Sequence, residues 1–326
     1  MAGTLCVDAE ILSEFERGLD PRNPESSRIP ARVLGYGEIS TVFEIALEGL
    51  EGLAFKRLPI FREVGEMESY RRIYEEYNRI LGEEVGLRLP AHGHAEFVTE
   101  SGRPVFFIIQ ERVHPDSIGN RIIQGLDREG VLILVRLVLR ELRKVWDFNR
   151  AQGRLQVAVD GQISNWSVAG FDPREPGLDE KTTLLYLDTS TPLFRVDGVE
   201  QLDAELFLRS APSFLVWILR LLFLEDVVNR YYDFRAVVID LIANFYKEQR
   251  PEYIPHLVDL ANEFFAEEVP HLGLEPVSEK EVASYYREDA LIWSLYLAMR
   301  RLDRFLRTRL LRKEYPYILP GKIRRR

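Results

Sequence analysis

Between two apolar runs the chain reads Val157-Ala158-Val159-Asp160-Gly161-Gln162-Ile163-Ser164-Asn165-Trp166-Ser167-Val168. An acid and an amide lie five positions apart in a loop that short flanking strands would hold. A carboxylate at Asp160 can orient or deprotonate an attacking hydroxyl, and the neutral amide oxygen of Asn165 suits a hard cation. The same two side chains could instead cap their own backbone in a turn. Downstream, Leu184-Leu185-Tyr186-Leu187-Asp188-Thr189-Ser190 ends a second apolar strand on a carboxylate, a place where oxygen ligands hold a divalent cation. The intervening AGFDPREPGLDEK, residues 169–181, carries Pro, Gly and acids and reads as a solvent-exposed excursion.

Upstream, VLGYGEISTVFEI from Val33 to Ile45 suits two strands joined by a glycine turn. Gly35 and Gly37 allow the backbone to approach phosphates closely, although a plain hairpin turn has the same composition. On the next strand, Gly52 to Leu58, alternation puts Leu53, Phe55 and Arg57 on one face and Ala54, Lys56 and Leu58 on the other. Lys56 then sits among apolar neighbours, fourteen positions after Val42. Its ammonium can reach phosphates, or simply snorkel to solvent from a sheet edge. From about Phe61 to Glu84, Met67, Tyr70, Ile73/Tyr74, Tyr77 and Ile80/Leu81 recur at helical spacing, predicting one amphipathic helix. A lysine among apolar groups needs a counter-charge, and Glu76 on that helix is the first choice, with Glu75 and Glu68 as alternatives. Arg103 to Val113 predicts a strongly apolar strand. His92 and His94, in the Gly/Pro-containing stretch PAHGHAEF, read as loop packing and not as a metal pair.

Beyond residue 120 helical periods dominate. Leu126 to Asn149 predicts a long central helix, and further helices are expected over 200–210, 213–231, 233–248, 252–268 and 279–313, with Pro residues near their ends. A chain of 326 residues with 46% hydrophobic and 29% charged residues supports two packed lobes and excludes disorder as its main state. Cys6 is the sole cysteine, so no intramolecular disulfide or cysteine-built metal site exists, in keeping with a reducing compartment. The N-terminus lacks a basic region followed by an apolar run, so a cytoplasmic location is expected. The most apolar stretch, Phe214 to Leu224, is about half the ~20 residues that cross a bilayer and contains Arg220, which predicts a buried helix and no membrane span. Net charge is −9. Residues 300–326 hold eleven Lys and Arg against two acids, so the remainder stands at −18, a balance that disfavours nucleic acid as a partner. In that tail Leu297, Leu302, Leu306 and Leu310 are expected to pack inward.

Taken in order, the glycine turn, Lys56, the helix glutamate, Asp160 with Asn165, and Asp188 resemble the protein kinase-like superfamily over residues 31–195. The resemblance implies an α+β, two-lobed protein kinase-like fold. An N-terminal segment (1–30) would precede a small sheet-rich lobe (31–113) and a larger, mostly helical lobe (114–326). It implies ATP and Mg²⁺ between the lobes, with Gly35, Gly37, Ser40 and Val42 over the nucleotide, Lys56 on its phosphates and Glu76 orienting Lys56. Glu111 and Val113 would meet the adenine edge with Gln110 as gatekeeper, Asp160 would be the base, and Asn165 and Asp188 the Mg²⁺ ligands. The implied reaction transfers a phosphoryl group to a small-molecule hydroxyl. The alternative is a nucleotide-binding pseudokinase acting as a regulatory or interaction module, with the basic tail meeting a protein partner.

Departures from the pattern matter as much. Ser40 replaces the third glycine, Ala158-Val159 the His-Arg or His-Gly of the catalytic loop, and Thr189-Ser190 the Phe-Gly after the metal aspartate. Gln162 stands where protein kinases carry a lysine and small-molecule kinases often a histidine, so a cation that would steady the transferring group is missing from the loop. The variable pair after Asp188 and the helical C-terminal lobe look more like the aminoglycoside phosphotransferase and choline kinase branch, and Ser210 to Ser213 only faintly resembles the Ala-Pro-Glu of protein kinases. Deleting residues 321–326 is expected to leave the melting temperature unchanged. A fall of several degrees, where ~1 kcal/mol corresponds to roughly 2–4 °C, would show a docked, structural tail.

Overall fold

The structure, a computed structural model, describes residues 5–21, 23–37, 40–175, 177–203, 205–208, 225–310, 315, 317 and 318. The stretch 209–224, with most of the expected 213–231 helix and the Ser210 to Ser213 motif, lies outside the described residues, as do 311–314 and 319–326 of the tail.

The small lobe is one antiparallel sheet of β1 (Ala31–Tyr36), β2 (Thr41–Ile45), β3 (Leu53–Leu58), β4 (His92–Val98) and β5 (Pro104–Glu111), in the order β1-β2-β3-β5-β4. Directly paired residues share a face, so the register row Gly35, Val42, Lys56, Ile108 aims Lys56 and Val42 the same way. On that face Leu58, Phe106 and Ile108 bury against Tyr70 and Tyr74 of α2 (Val64–Arg79), the helix expected from the tyrosine spacing. On the other, Phe43, Phe55, Phe107 and Ile109 bury against Leu12 and Phe15 of α1 (Ala9–Gly18). Being covered on both sides explains why β5 is apolar at every position from Val105 to Ile109 and shows no alternation.

Two elements of this lobe differ from the sequence reading. Helix α1 lies within the segment left without structure. Its N-cap is Asp8, whose side chain accepts the Glu10 N–H. The PAHGHAEF stretch is β4, a paired edge strand and not a loop. Its Gly93 is required, because a Cβ there would sit 1.9 Å from the carbonyl oxygen of Leu5, which crosses the strand and donates its N–H to His92. His94 does pack, stacking on Phe106 at 5.3 Å, and burial holds its ring below the ordinary histidine range.

The large lobe is built round α4 (Arg128–Ala151), preceded by the short α3 (Gly119–Ile122). Short strands β6 (Leu155–Val157), β7 (Trp166–Val168), β8 (Leu184–Tyr186), β9 (Phe194–Val196) and β10 (Val199–Glu200) follow. Then come α5 (Glu205–Leu208), α6 (Glu225–Arg230), α7 (Phe234–Lys247), α8 (Ile254–Glu267) and α9 (Glu279–Phe305). One apolar cluster joins Leu134, Val138 and Leu142 of α4 to Val238 and Ile242 of α7 and Leu257 and Phe264 of α8. Among the described residues no helix is long and apolar enough to cross a membrane. At the end of α9 Leu302 points outward, 45% exposed, and Arg300 turns inward, 2% exposed, contrary to the expected packing of the leucine. The cause is aromatic: Tyr296 and Tyr317 offer their rings to the Arg300 guanidinium. The chain then returns to the small lobe, where Tyr315 and Tyr317 pack with Leu58 and Phe61.

Arg57, on the face opposite Lys56, is held by a bidentate pair with Glu16 of α1 at 2.6 Å, and Arg103 meets the same carboxylate at 2.9 Å. Burial works to raise the Glu16 carboxyl, and Arg57 and Arg103 together hold it below its usual value. The stabilisation is therefore present above about pH 4.5 and is lost as pH falls through the lower folded value. Removing one partner strands a buried charge, so Glu16→Ala should cost about 3–5 kcal/mol in denaturant unfolding. The double variant Glu16→Ala/Arg57→Met should recover part of that loss.

Candidate active site

Each expected site residue is set by a short local constraint. Lys56 leaves the sheet beside Ile108, and its Nζ lies 2.7 Å from Oδ1 of Asp188, 132 positions away. The Ser190 hydroxyl and N–H also donate to that oxygen, at 2.7 and 3.1 Å. Burial pushes the Asp188 carboxyl up, but Lys56 and then Ser190 outweigh it, so the group sits below the ordinary aspartate range and stays ionised.

Asp160 occupies the loop between β6 and β7. Its N–H donates to the Tyr186 hydroxyl at 3.1 Å, and its Oδ1 accepts the Gln162 N–H at 3.0 Å. Burial, with the nearby Asp188 charge as a lesser cause, pushes its carboxyl up to about 6. Asn165 donates Nδ2 to the Asp160 carbonyl at 3.3 Å, which leaves its amide oxygen for another partner. Its own carbonyl accepts the Leu187 N–H at 2.8 Å, and Gln110 of β5 donates to the Leu187 carbonyl at 3.0 Å. The Asp160 loop, the strand ending at Asp188 and the end of β5 are thus joined through Leu187. Gly161 is needed because a Cβ would meet Val237 of α7 at 2.6 Å, so the loop rests directly on that helix.

The pair expected between Lys56 and Glu76 does not form. Glu76 is nearly half exposed and bonds Arg79 at 2.7 Å, a contact that holds its carboxyl below the ordinary range. Neither alternative replaces it, since Glu75 bonds Arg71 and Glu68 is exposed. The reason is the tyrosine stripe: Tyr70, Tyr74 and Tyr77 fill the inward face of α2 and leave its glutamates on the flanks. Tyr77 donates to the Ala158 carbonyl at 2.6 Å and Tyr70 to the Ser190 carbonyl at 2.8 Å, while Tyr74 faces Thr189. Hydroxyls in place of a carboxylate thus hold α2 against both loops.

At the outer rim, Val42 shares the Lys56 face and Gly35 lies beside it in the register. Gly37 donates to the Ser40 carbonyl at 3.0 Å, and a Cβ on Gly37 would meet the Ser40 hydroxyl at 2.6 Å. Glu38 and Ile39, at the tip of this turn, lie outside the described residues. In the segment joining the lobes the Glu111 N–H is committed to the Ala91 carbonyl, whereas among the described residues no hydrogen bond uses the Val113 backbone.

The sequence reading missed Lys247, whose Nζ donates to Gln162 Oε1 at 3.3 Å from the end of α7. It also missed Asp240, whose carboxyl is pushed up by burial and by neighbouring Asp160 and Asp289. Asp240 left one trace, an acid inside the apolar run VVIDLIANF. Lys247 left none beyond the missing cation at Gln162. Among the described residues no group of three or more His, Cys, Asp or Glu could by itself hold a metal. One carboxylate at Asp188 and one amide oxygen at Asn165 fit a Mg²⁺ that takes its other oxygens from phosphates and water.

The architecture is α+β, a small antiparallel sheet with one helix over the face that carries Lys56, joined to a helical lobe. The chain belongs to DUF6206, a family of unknown function whose profile matches residues 22–304. No curated protein matches it. A solved structure described as WaaP in complex with acyl carrier protein is 16% identical, covers 76% of this chain and 92% of its own, and superposes with a TM-score of 0.33.

The tether account separates two neighbouring residues. Tyr77→Phe should cost about 1–3 kcal/mol by leaving the buried Ala158 carbonyl unpaired. Glu76→Gln should change stability by less than about 0.5 kcal/mol, as an exposed pair does. Equal effects in urea denaturation would contradict the tether.

Proposed function

We propose that this chain is an ATP- and Mg²⁺-dependent phosphotransferase acting on a small-molecule hydroxyl, in the style of the aminoglycoside phosphotransferase and choline kinase branch. The observation that carries the reading is the 2.7 Å contact of Lys56 with Asp188, formed beside the loop that bears Asp160 and Asn165. An ammonium and an ionised carboxylate in one half-buried cleft are what a phosphate chain and its cation require. Asp188 and Asn165 would hold Mg²⁺, which neutralises phosphate charge when bound. Lys56 would bind phosphate oxygens, Gly35, Gly37, Ser40 and Val42 would cover the nucleotide, and the Val113 N–H with Glu111 would meet the adenine edge. Asp160 would take the proton of the acceptor hydroxyl. Glu76 has no part in this site.

The pseudokinase reading draws on Ala158-Val159 and Gln162, which lack the usual helper groups. Against it stands the retention of Asp160, Asn165 and Asp188, which a scaffold does not need. Under either reading the basic tail would offer a surface to a protein partner, and the single cysteine, exposed Cys6, suits the cytoplasm.

Incubating the protein with Mg²⁺-ATP and a metabolite pool, then searching by mass spectrometry for a product heavier by one phosphoryl group, tests the reading. Such a product should appear with wild type and vanish with Asp160→Asn, while Asp188→Asn should weaken Mg²⁺-ATP binding. ATP binding without any product would favour the pseudokinase. Since Asp160 must be ionised to accept a proton and its carboxyl lies at about 6, turnover should fall as pH drops below 6, by about tenfold at pH 5. A rate flat from pH 7 to pH 5 would remove Asp160 from the base role.

A further inference from the structure

Gln162 leaves the Asp160 loop without a cation of its own, yet one reaches it from elsewhere in the chain. Lys247 is the last residue of α7, and its Nζ lies 3.3 Å from Gln162 Oε1 across 85 positions. A lysine at a helix C-terminus would be favoured by the helix dipole even if it met only water. Here the same helix also packs on the loop itself, because Gly161 has room only for hydrogen against Val237. That contact seats the first turn of α7 on the loop, and Lys247 reaches Gln162 from the other end of the helix. The groups around Lys247 are acidic or amide: Asp160 and Gln162 on the loop, Asp240 and Glu248 on or beside α7, and Asp289 on α9. Arg121 also acts on Glu248 and Arg230 on Asp289, and Lys247 is the cation that all four acids share.

We propose that Lys247 supplies, from α7, the positive charge at the phosphoryl-transfer centre that the Asp160 loop lacks. This inference rests on the phosphotransferase reading. In the step, the bond from γ-phosphorus to the oxygen bridging to the β-phosphate breaks and its electron pair leaves with ADP. The acceptor oxygen bonds to phosphorus, and its proton passes to the Asp160 carboxylate. Lys247 keeps its protons throughout. It hydrogen-bonds the equatorial oxygens of the transferring group, with Gln162 holding the ammonium in place. An interaction made with the transferring group, and not with the bound nucleotide, lowers the barrier without tightening the ground state.

The test uses the full chain with water as acceptor, reading phosphate release from Mg²⁺-ATP, together with calorimetric affinities for ADP and for ADP with aluminium fluoride, a mimic of the transferring group. Lys247→Met should lower turnover about 10²-fold and weaken the aluminium fluoride complex by a similar factor, with ADP affinity changed less than about twofold. Lys247→Met/Gln162→Lys, which returns a cation to the loop, should regain at least about tenfold of both losses. Turnover and aluminium fluoride affinity of Lys247→Met within threefold of wild type would overturn the proposal, as would a folded double variant with no recovery. If Lys247→Met melts early, the double variant and Lys247→Arg decide by the same two readouts. A wild type that binds no nucleotide would overturn the phosphotransferase reading itself, which sets that failure apart from the failure of Lys247.

Discussion

The contact of Lys56 with Asp188 is the constraint on which the arrangement of the cleft depends. Two opposite charges from different lobes are brought largely out of water, and each alone would be costly there. The sheet supplies the ammonium by placing Lys56 in register with Val42 and Ile108. The large lobe supplies the carboxylate at the end of β8, already oriented by Ser190. Because Leu187 ties that strand to Asn165 on one side and to Gln110 on the other, displacing either charge would strain the loop carrying Asp160 as well.

The tyrosines of α2 carry a further part of the lobe-to-lobe coupling. Tyr70 and Tyr77 each bury a ring and donate one hydroxyl to a loop carbonyl, so a single helix face stabilises the loops on both sides of the cleft. The tyrosines leave the Lys56–Asp188 pair intact and keep α2 docked. On the far side of the sheet the buried Glu16–Arg57 contact anchors α1 next to the strand residue that adjoins Lys56. The position of Lys56 is therefore fixed from both faces.

Much of this was legible in the sequence, for reasons tied to particular residues. The alternation of Leu53 to Leu58 separated Lys56 from Arg57, and the spacing of Tyr70, Tyr74 and Tyr77 marked the inward face of α2. The separation of Asp160 and Asn165, followed by an apolar strand ending in Asp188, marked the loops that the structure brings together. The partner of Lys56 was not legible, because any surface helix carries glutamates and helical spacing does not tell a tether made by tyrosine hydroxyls from one made by a carboxylate. Strand β4 was hidden by the Gly and Pro residues around His92, since the need for Gly93 arises from a crossing segment nearly ninety positions earlier. Lys247 was hidden for the same reason. Its relation to Gln162 exists only once α7 packs on Gly161.

The account places a nucleotide phosphate chain beside Lys56, and an acyl-phosphate derivative of ATP tests that placement directly, because it acylates a lysine lying against its phosphates. After labelling of the folded protein, peptide mapping by mass spectrometry should find Lys56 modified, with excess Mg²⁺-ATP suppressing the label. Labelling at other lysines with Lys56 untouched, or labelling of Lys56 that ATP does not suppress, would contradict the account.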